Sequence, residues 1–416
     1  MRDSLSRCLS LDSWDRIGYY WAISQTIRCP KTALTIVELD REGQMNSAYS
    51  LAVASRAEVM SEGLWLRSRS WDLTFISLSA VIVAVPILTF IFANQATPYI
   101  NSMLLALGIK YVWDADASRN LVNGTIALFI GGPHMYATYT RTAFDKNFSR
   151  EHKLLLAFSV LVPIAVIYMG VKHFQFLITF FFFWASIHIL HQAAFIVECY
   201  NKRAARSLSW SSRMIDYGLL FSALYPIATY KFIHEDFYIG ANKIFFPDFL
   251  KTDYIFYLIT AVFAASAILF TWKTIHEIRA GVAHYPKIIL ISLTSLVAFF
   301  IPAFPNLDVA FQGFNAWHSF QYLGLTYYIN RLRHQRGEIG TKFIDKMSED
   351  GRTWYYYLFN VGLTAAAVSI IALLIYFSPA LGLSFDQCYY IVVLSFLLMH
   401  YLHDHLLFTK PGEILV

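Results

Sequence analysis

The sequence predicts an all-α fold, a polytopic integral-membrane helical bundle of about ten transmembrane helices, and three observations carry that expectation. Hydrophobic residues make up 57% of the chain and charged residues 15%, where a soluble domain is about 25% charged. The apolar residues gather into runs close to the roughly 20 residues that a bilayer requires. Lys and Arg fall on alternate connections between those runs, the positive-inside pattern.

Residues 1–60 differ from the remainder. They are polar (Arg2, Asp3, Asp12, Asp15, Glu38, Asp40, Arg41, Glu42) and lack the apolar core of a signal peptide. They are expected to be disordered or to precede the native start, which Met60 would supply, with 61–416 forming a single transmembrane domain. The expected spans run from Leu73 to Ala93, Leu121 to Thr140, Leu154 to Gly170, Phe174 to Cys199, Leu208 to Tyr230, Tyr254 to Trp272, Ile288 to Pro302, Val309 to Ile329, Trp354 to Phe377 and Tyr389 to Phe408. Residues 97–112 have room for a short re-entrant or interfacial helix. The fifth span starts on polar turns, with Ser209, Ser211, Ser212, Arg213 and Asp216.

With the N-terminus on the cytoplasmic side, the inside connections (61–72, 141–153, 200–213, 273–287, 331–352 and the tail) carry 20 Lys and Arg against 6 outside. Both termini are therefore expected in the cytoplasm, the chain lying in a bacterial inner or plasma membrane. These short basic blocks account for the formal charge of +5, and a nucleic-acid role is not expected. Cys8, Cys29, Cys199 and Cys388 are far apart with no CxxC pair, which argues against a disulfide framework or a thiolate metal site.

The histidines carry the functional signal. Of 13, His152, His276, His284 and His334 fall on inside connections and His173 and His234 on outside ones. The other seven, His134, His188, His191, His318, His400, His403 and His405, fall inside apolar runs. Ionisable side chains are costly there and are functional candidates by default. Their helices all run from outside to inside, and His134, His191, His318 and His403 precede the next inside basic residue by 7 to 13 positions. At 1.5 Å per residue this is one layer roughly 10 to 20 Å deep.

His188 and His191 are spaced i,i+3, as are His400 and His403, so each pair shares a helix face. Asp404 follows His400 at i+4 and Glu198 follows His191 at i+7, on the same stripes. Thr138 and Arg141 follow His134 at i+4 and i+7; Asn315, Gln321 and Tyr322 flank His318. His405 is turned about 100° from Asp404. A lone membrane histidine is often just an interhelical hydrogen-bonding residue. Seven at one depth point instead to metal, for which neutral imidazole is the commonest ligand.

An imidazole set with one carboxylate suits iron, zinc, copper or nickel rather than magnesium or calcium, and closed structural zinc takes only four ligands. Non-haem iron, mono- or dinuclear, is the expected cofactor. His134, His188, His191, His318, His400 and His403 are the expected ligands, and Glu198 and Asp404 the carboxylates that bridge or orient imidazoles. Arg141 is a candidate for neutralising a substrate carboxylate or a superoxide-like intermediate, although it fits a positive-inside anchor better. Aromatic residues around these helices (Phe176, Phe180 to Phe183, Trp184, Phe311, Phe314, Trp317, Phe320) suit lipid or interhelical packing and would accommodate an elongated apolar substrate.

Gly131-Gly132-Pro133-His134, opening a histidine-bearing membrane helix, resembles the Brp/Blh family of membrane β-carotene dioxygenases. That resemblance implies iron held by His134, His188, His191 and His318 and cleavage of a carotenoid. A looser likeness is to membrane fatty-acid desaturases and hydroxylases, with HxxH at 188 and 191 and HxxHxH at 400, 403 and 405 in place of HxxHH boxes. The expected function is a membrane non-haem iron oxygenase or desaturase-like oxidoreductase. It would act on a lipophilic small molecule such as a carotenoid or fatty acyl chain, with dioxygen and an electron-donor protein as partners. The rival classes are a bis-histidine haem b electron carrier, which a Soret band would reveal, and a metal or proton transporter, which would place its site at the midplane.

Overall fold

In the computed structural model, residues 63–204, 208–239 and 242–414 are described. The expectation for residues 1–60 lies outside the described residues. Helix α1 (Arg69–Gln95) starts where the Ser68 hydroxyl accepts the Trp71 N–H at 3.2 Å. It winds as a π-helix over Asp72–Ser77 and a 3₁₀-helix over Leu78–Val83. The short α2 (Thr97–Ala106) occupies the stretch with room for an interfacial helix. The α3 helix (Ala115–Ile126), capped by the Asp114 carboxylate on Ala117 N–H at 2.8 Å, runs through a π-turn, Ala127–Gly131, into α4 (Gly132–Arg141). Pro133 sits in the first turn of α4, where a missing N–H costs little.

The chain continues through α5 (Lys146–Glu151), α6 (Lys153–Lys172) and α7 (Phe174–Arg203). Next come α8 (Trp210–Ser222) and α9 (Tyr225–His234), separated because Pro226 cannot continue the α8 hydrogen-bond ladder. Strands β1 (Tyr238–Ile239) and β2 (Asn242–Lys243) pair antiparallel, a small departure from an all-α chain. The remaining helices are α10 (Asp253–Arg279), α11 (Tyr285–Ala303), α12 (Leu307–Gln335), α13 (Lys342–Met347), α14 (Thr353–Leu381) and α15 (Phe385–Leu407). Asn306 caps α12, Gly382 at φ +65° ends α14, and Ser384 with Gln387 forms a capping box on α15.

Among the described residues, seven helices, α1, α6, α7, α10, α11, α14 and α15, are long and apolar enough to cross a bilayer. The other three expected spans are helical but more polar: α3 with α4, the broken α8/α9 pair, and α12. Their polarity has a structural reason. In α10, α6 and α14 only 6%, 17% and 17% of the most apolar window is buried, against 67% and 61% in α7 and α15. The first set forms an outer apolar layer, and every residue of α4 is buried within. An interior helix screened from lipid can carry polar groups provided that they find partners.

The helices around α4 approach closely. It packs on α12, α14 and α15, and a Cβ on Gly132 would lie 2.6 Å from the Ala127 carbonyl and collide with Thr364. A separate buried charge cluster ties α8 to α10 and α11. Asp216 pairs with Lys287 at 2.9 Å and with Lys273, and Lys287 also donates to Asn201 at 3.2 Å. Two of the three basic residues on the 273–287 connection are thus buried ion-pair partners rather than free interfacial charges.

Candidate metal centre

Four helices each bring one imidazole to a common point: His134 from α4, His188 from α7, His318 from α12 and His400 from α15. Their rings form a closed cycle, with centroids 5.2 Å apart for His134–His318, 5.1 Å for His318–His188, 5.1 Å for His188–His400 and 4.8 Å for His400–His134. Asp404, one turn beyond His400, adds a carboxylate whose Oδ2 lies 3.6 Å from His400 Nε2 and 3.8 Å from His188 Nε2. All five side chains are at most 5% exposed.

The inward-facing atoms lack partners. His134 Nε2, His188 Nε2, both nitrogens of His318, His400 Nε2 and Asp404 Oδ2 are buried and make no hydrogen bond. One such atom costs about 1–3 kcal/mol. So many unpartnered atoms on four neighbouring imidazoles and a carboxylate are inconsistent with histidines kept only for interhelical hydrogen bonding, which would have used them. Potential ligand atoms of His134, His318 and His400, and of His188, His400 and Asp404, lie within 4.8 Å of one another in each group. The donor chemistry fits a borderline transition metal, iron included.

The outward-facing nitrogens of His134 and His400 and one oxygen of Asp404 have partners, and this fixes the orientation of those groups. Gly131 O accepts from His134 Nδ1, and Ser319 Oγ lies 2.9 Å from the same nitrogen. With the proton on Nδ1, Nε2 presents a lone pair inward. His400 Nδ1 lies 2.6 Å from Thr138 Oγ1, which donates to Asp404 Oδ1 at 2.9 Å, and Tyr322 OH donates to the same oxygen at 2.6 Å. Thr138 therefore accepts from His400 Nδ1–H, so that His400 Nε2 is also a bare acceptor. This histidine–hydroxyl–carboxylate chain is the kind of outer support that holds metal-ligating imidazoles. Tyr401 stacks on His188 with centroids 4.0 Å apart.

Several expected site residues lie elsewhere. His403 is buried, but its Nδ1 pairs with Thr142 Oγ1 at 3.0 Å and its Nε2 with Ser159 Oγ at 2.8 Å; both nitrogens are occupied. The His191 ring is half-buried, 5.6 Å from His405 and 5.2 Å from Phe408, outside the cycle. Glu198 bonds Arg213, Asn201 and Tyr217 and is an ion-pair residue at the end of α7. Arg141 is buried and close enough to Asp404 and Tyr322 to act on both electrostatically.

Thr138 and Tyr322 were visible in the sequence only as i+4 neighbours of His134 and His318. Ser319 carried no signal there, because it sits on α12 and serves a histidine of α4.

A largely apolar pocket adjoins the centre on the His134 side, with Phe181, Phe182, Phe311, Leu397 and Tyr401 in its walls. Phe176, Phe180 and Trp184 are instead 43–58% exposed on the outer surface of α7. No family model matches the chain, and no curated protein or solved structure matches it.

Proposed function

We propose that the chain is an integral-membrane non-haem iron oxygenase or related oxidoreductase acting on a lipophilic substrate, with both termini cytoplasmic. The observation that carries this reading is the set of six buried, unpartnered donor atoms on four helices beside an apolar cavity. His134, His188, His318 and His400 would hold the metal through ring nitrogens, with Asp404 Oδ2 as a fifth donor. Because His400 belongs to both ligand groups and the four rings close one cycle, a single ion is favoured over two. Iron would supply the one-electron chemistry that dioxygen requires.

The protein's own groups do the rest. Thr138 and Tyr322 hold the Asp404 carboxylate by one oxygen, leaving the other turned inward. Gly131 and Ser319 lock the His134 ring, so that the ligand face is preorganised before metal arrives. The mostly apolar walls of the cavity would suit a lipophilic substrate such as a carotenoid or fatty acyl chain. Arg141 places positive charge near Asp404 and Tyr322. The likeness of the Gly-Gly-Pro-His segment to the Brp/Blh dioxygenases points to the same chemistry. Imidazole rings 4.8–5.2 Å from their neighbours leave no slot for a porphyrin, which argues against the haem b alternative.

The test is metal analysis with an optical spectrum on detergent-purified protein. One iron per chain and no Soret band is the expected result. A haem spectrum, or protein that binds no transition metal when titrated, would refute the proposal.

A further inference from the structure

The cavity contains one more unpartnered polar atom that the metal centre does not use. Tyr136, on α4 about 3 Å beyond His134 along the axis, is 4% exposed, lines the cavity, and its hydroxyl makes no hydrogen bond. Its ring is wedged edge-on to Phe396 with centroids 5.5 Å apart and lies 6.1 Å from Tyr139. Of the tyrosines in the cavity wall, Tyr136 is the one whose hydroxyl is fully buried without a partner, and several other polar side chains there have partners already. Gln312 and Asn315 bond each other at 3.3 Å, Asp308 pairs with Arg119 at 3.3 Å, and Thr364 donates to Asn360 O at 2.9 Å.

A phenol buried without an acceptor carries a penalty that a ligand oxygen would remove. A plain hydrocarbon would fill the same space and leave the penalty in place. We infer that the cavity binds an elongated apolar chain bearing an oxygen acceptor, a hydroxyl, carbonyl or ester group, and that Tyr136 donates a hydrogen bond to that oxygen. Tyr136 is thereby the residue that selects oxygenated chains over hydrocarbons. The inference rests on the proposed function only in calling this chain the substrate.

Binding is read by native mass spectrometry on the detergent-purified full chain, with cetyl alcohol and hexadecane as matched probes. Satisfying one buried donor favours the alcohol by about 5- to 150-fold. Tyr136→Phe should abolish that preference while leaving hexadecane retention unchanged. Ala367→Phe, which narrows the cavity from α14, should exclude both chains and shows that the signal comes from this cavity. An equal response of wild type to the two probes, retention of neither, or a preference that survives Tyr136→Phe would overturn the inference. Metal content measured on the same samples separates the two readings: protein that discriminates through Tyr136 but takes up no metal refutes the oxygenase and leaves the selectivity standing.

Discussion

Replacing His318 by leucine should raise stability without metal and forfeit about 4 kcal/mol of the stabilisation that metal confers. A neutral imidazole has one donor and one acceptor, and both ring nitrogens of His318 are buried without partners. At about 1–3 kcal/mol for each unsatisfied atom, the metal-free protein carries about 2–6 kcal/mol of penalty at this one side chain. Leucine removes it and introduces a shape mismatch of about 1.5 kcal/mol. Stripped His318→Leu should therefore be about 0.5–4.5 kcal/mol more stable than stripped wild type. With metal at a thousandfold excess over its Kd, wild type gains about 4 kcal/mol by mass action, and the variant gains little. The assay is denaturant-induced unfolding in detergent, run on chelator-treated and metal-loaded samples of both proteins. If the variant is less stable than wild type by the same amount in both states, His318 is a packing residue and the donor-atom reasoning fails.

Other substitutions probe the remaining parts of the centre. Asp404→Asn keeps an oxygen for Thr138 and Tyr322 but removes the charge, and should weaken metal binding about 10- to 100-fold; a titration showing unchanged affinity excludes the carboxylate from the centre. His400→Ala should lose metal, whereas His403→Ala should retain it, since Thr142 and Ser159 occupy both nitrogens of His403; elemental analysis of the pair decides, and equal loss from both returns His403 to the ligand set. Gly132→Ala should destabilise by about 1–3 kcal/mol through overpacking against α14 and lower metal content by displacing His134. The adjacent Gly131→Ala meets nothing closer than 3.4 Å and should be nearly neutral, so similar behaviour of the two in thermal unfolding contradicts the close-approach explanation.

Much of the centre was legible because polarity inside an apolar run is conspicuous. His134, His188, His318, His400 and Asp404 could be picked out by depth and by the His400–Asp404 spacing alone. Rotation could not. His191 and His403 follow His188 and His400 by about 4.5 Å of rise and 300° of turn. A site fed by four helices at one level takes one imidazole from each, leaving the second for a different neighbour. Glu198 shows the same limit: it continues the His191 stripe, but a stripe of i+7 spacing leads to the helix end, where Arg213 waits. Hydropathy in turn says little about the polar helices, α12 above all, because its packing against α1, α3 and α4 is a property of the assembled bundle. The carbonyl of Gly131, which orients His134, leaves no trace in residue identity.

The positions joined at the centre are remote along the chain, Thr138 and Asp404 being 266 residues apart. At about 5–20 residues per second of synthesis, roughly 13–53 s pass between the first and the second. During that interval α4, α7 and α12 are made while the fourth imidazole and the carboxylate do not yet exist. Metal binding at the proposed centre would therefore have to wait for the insertion of α15.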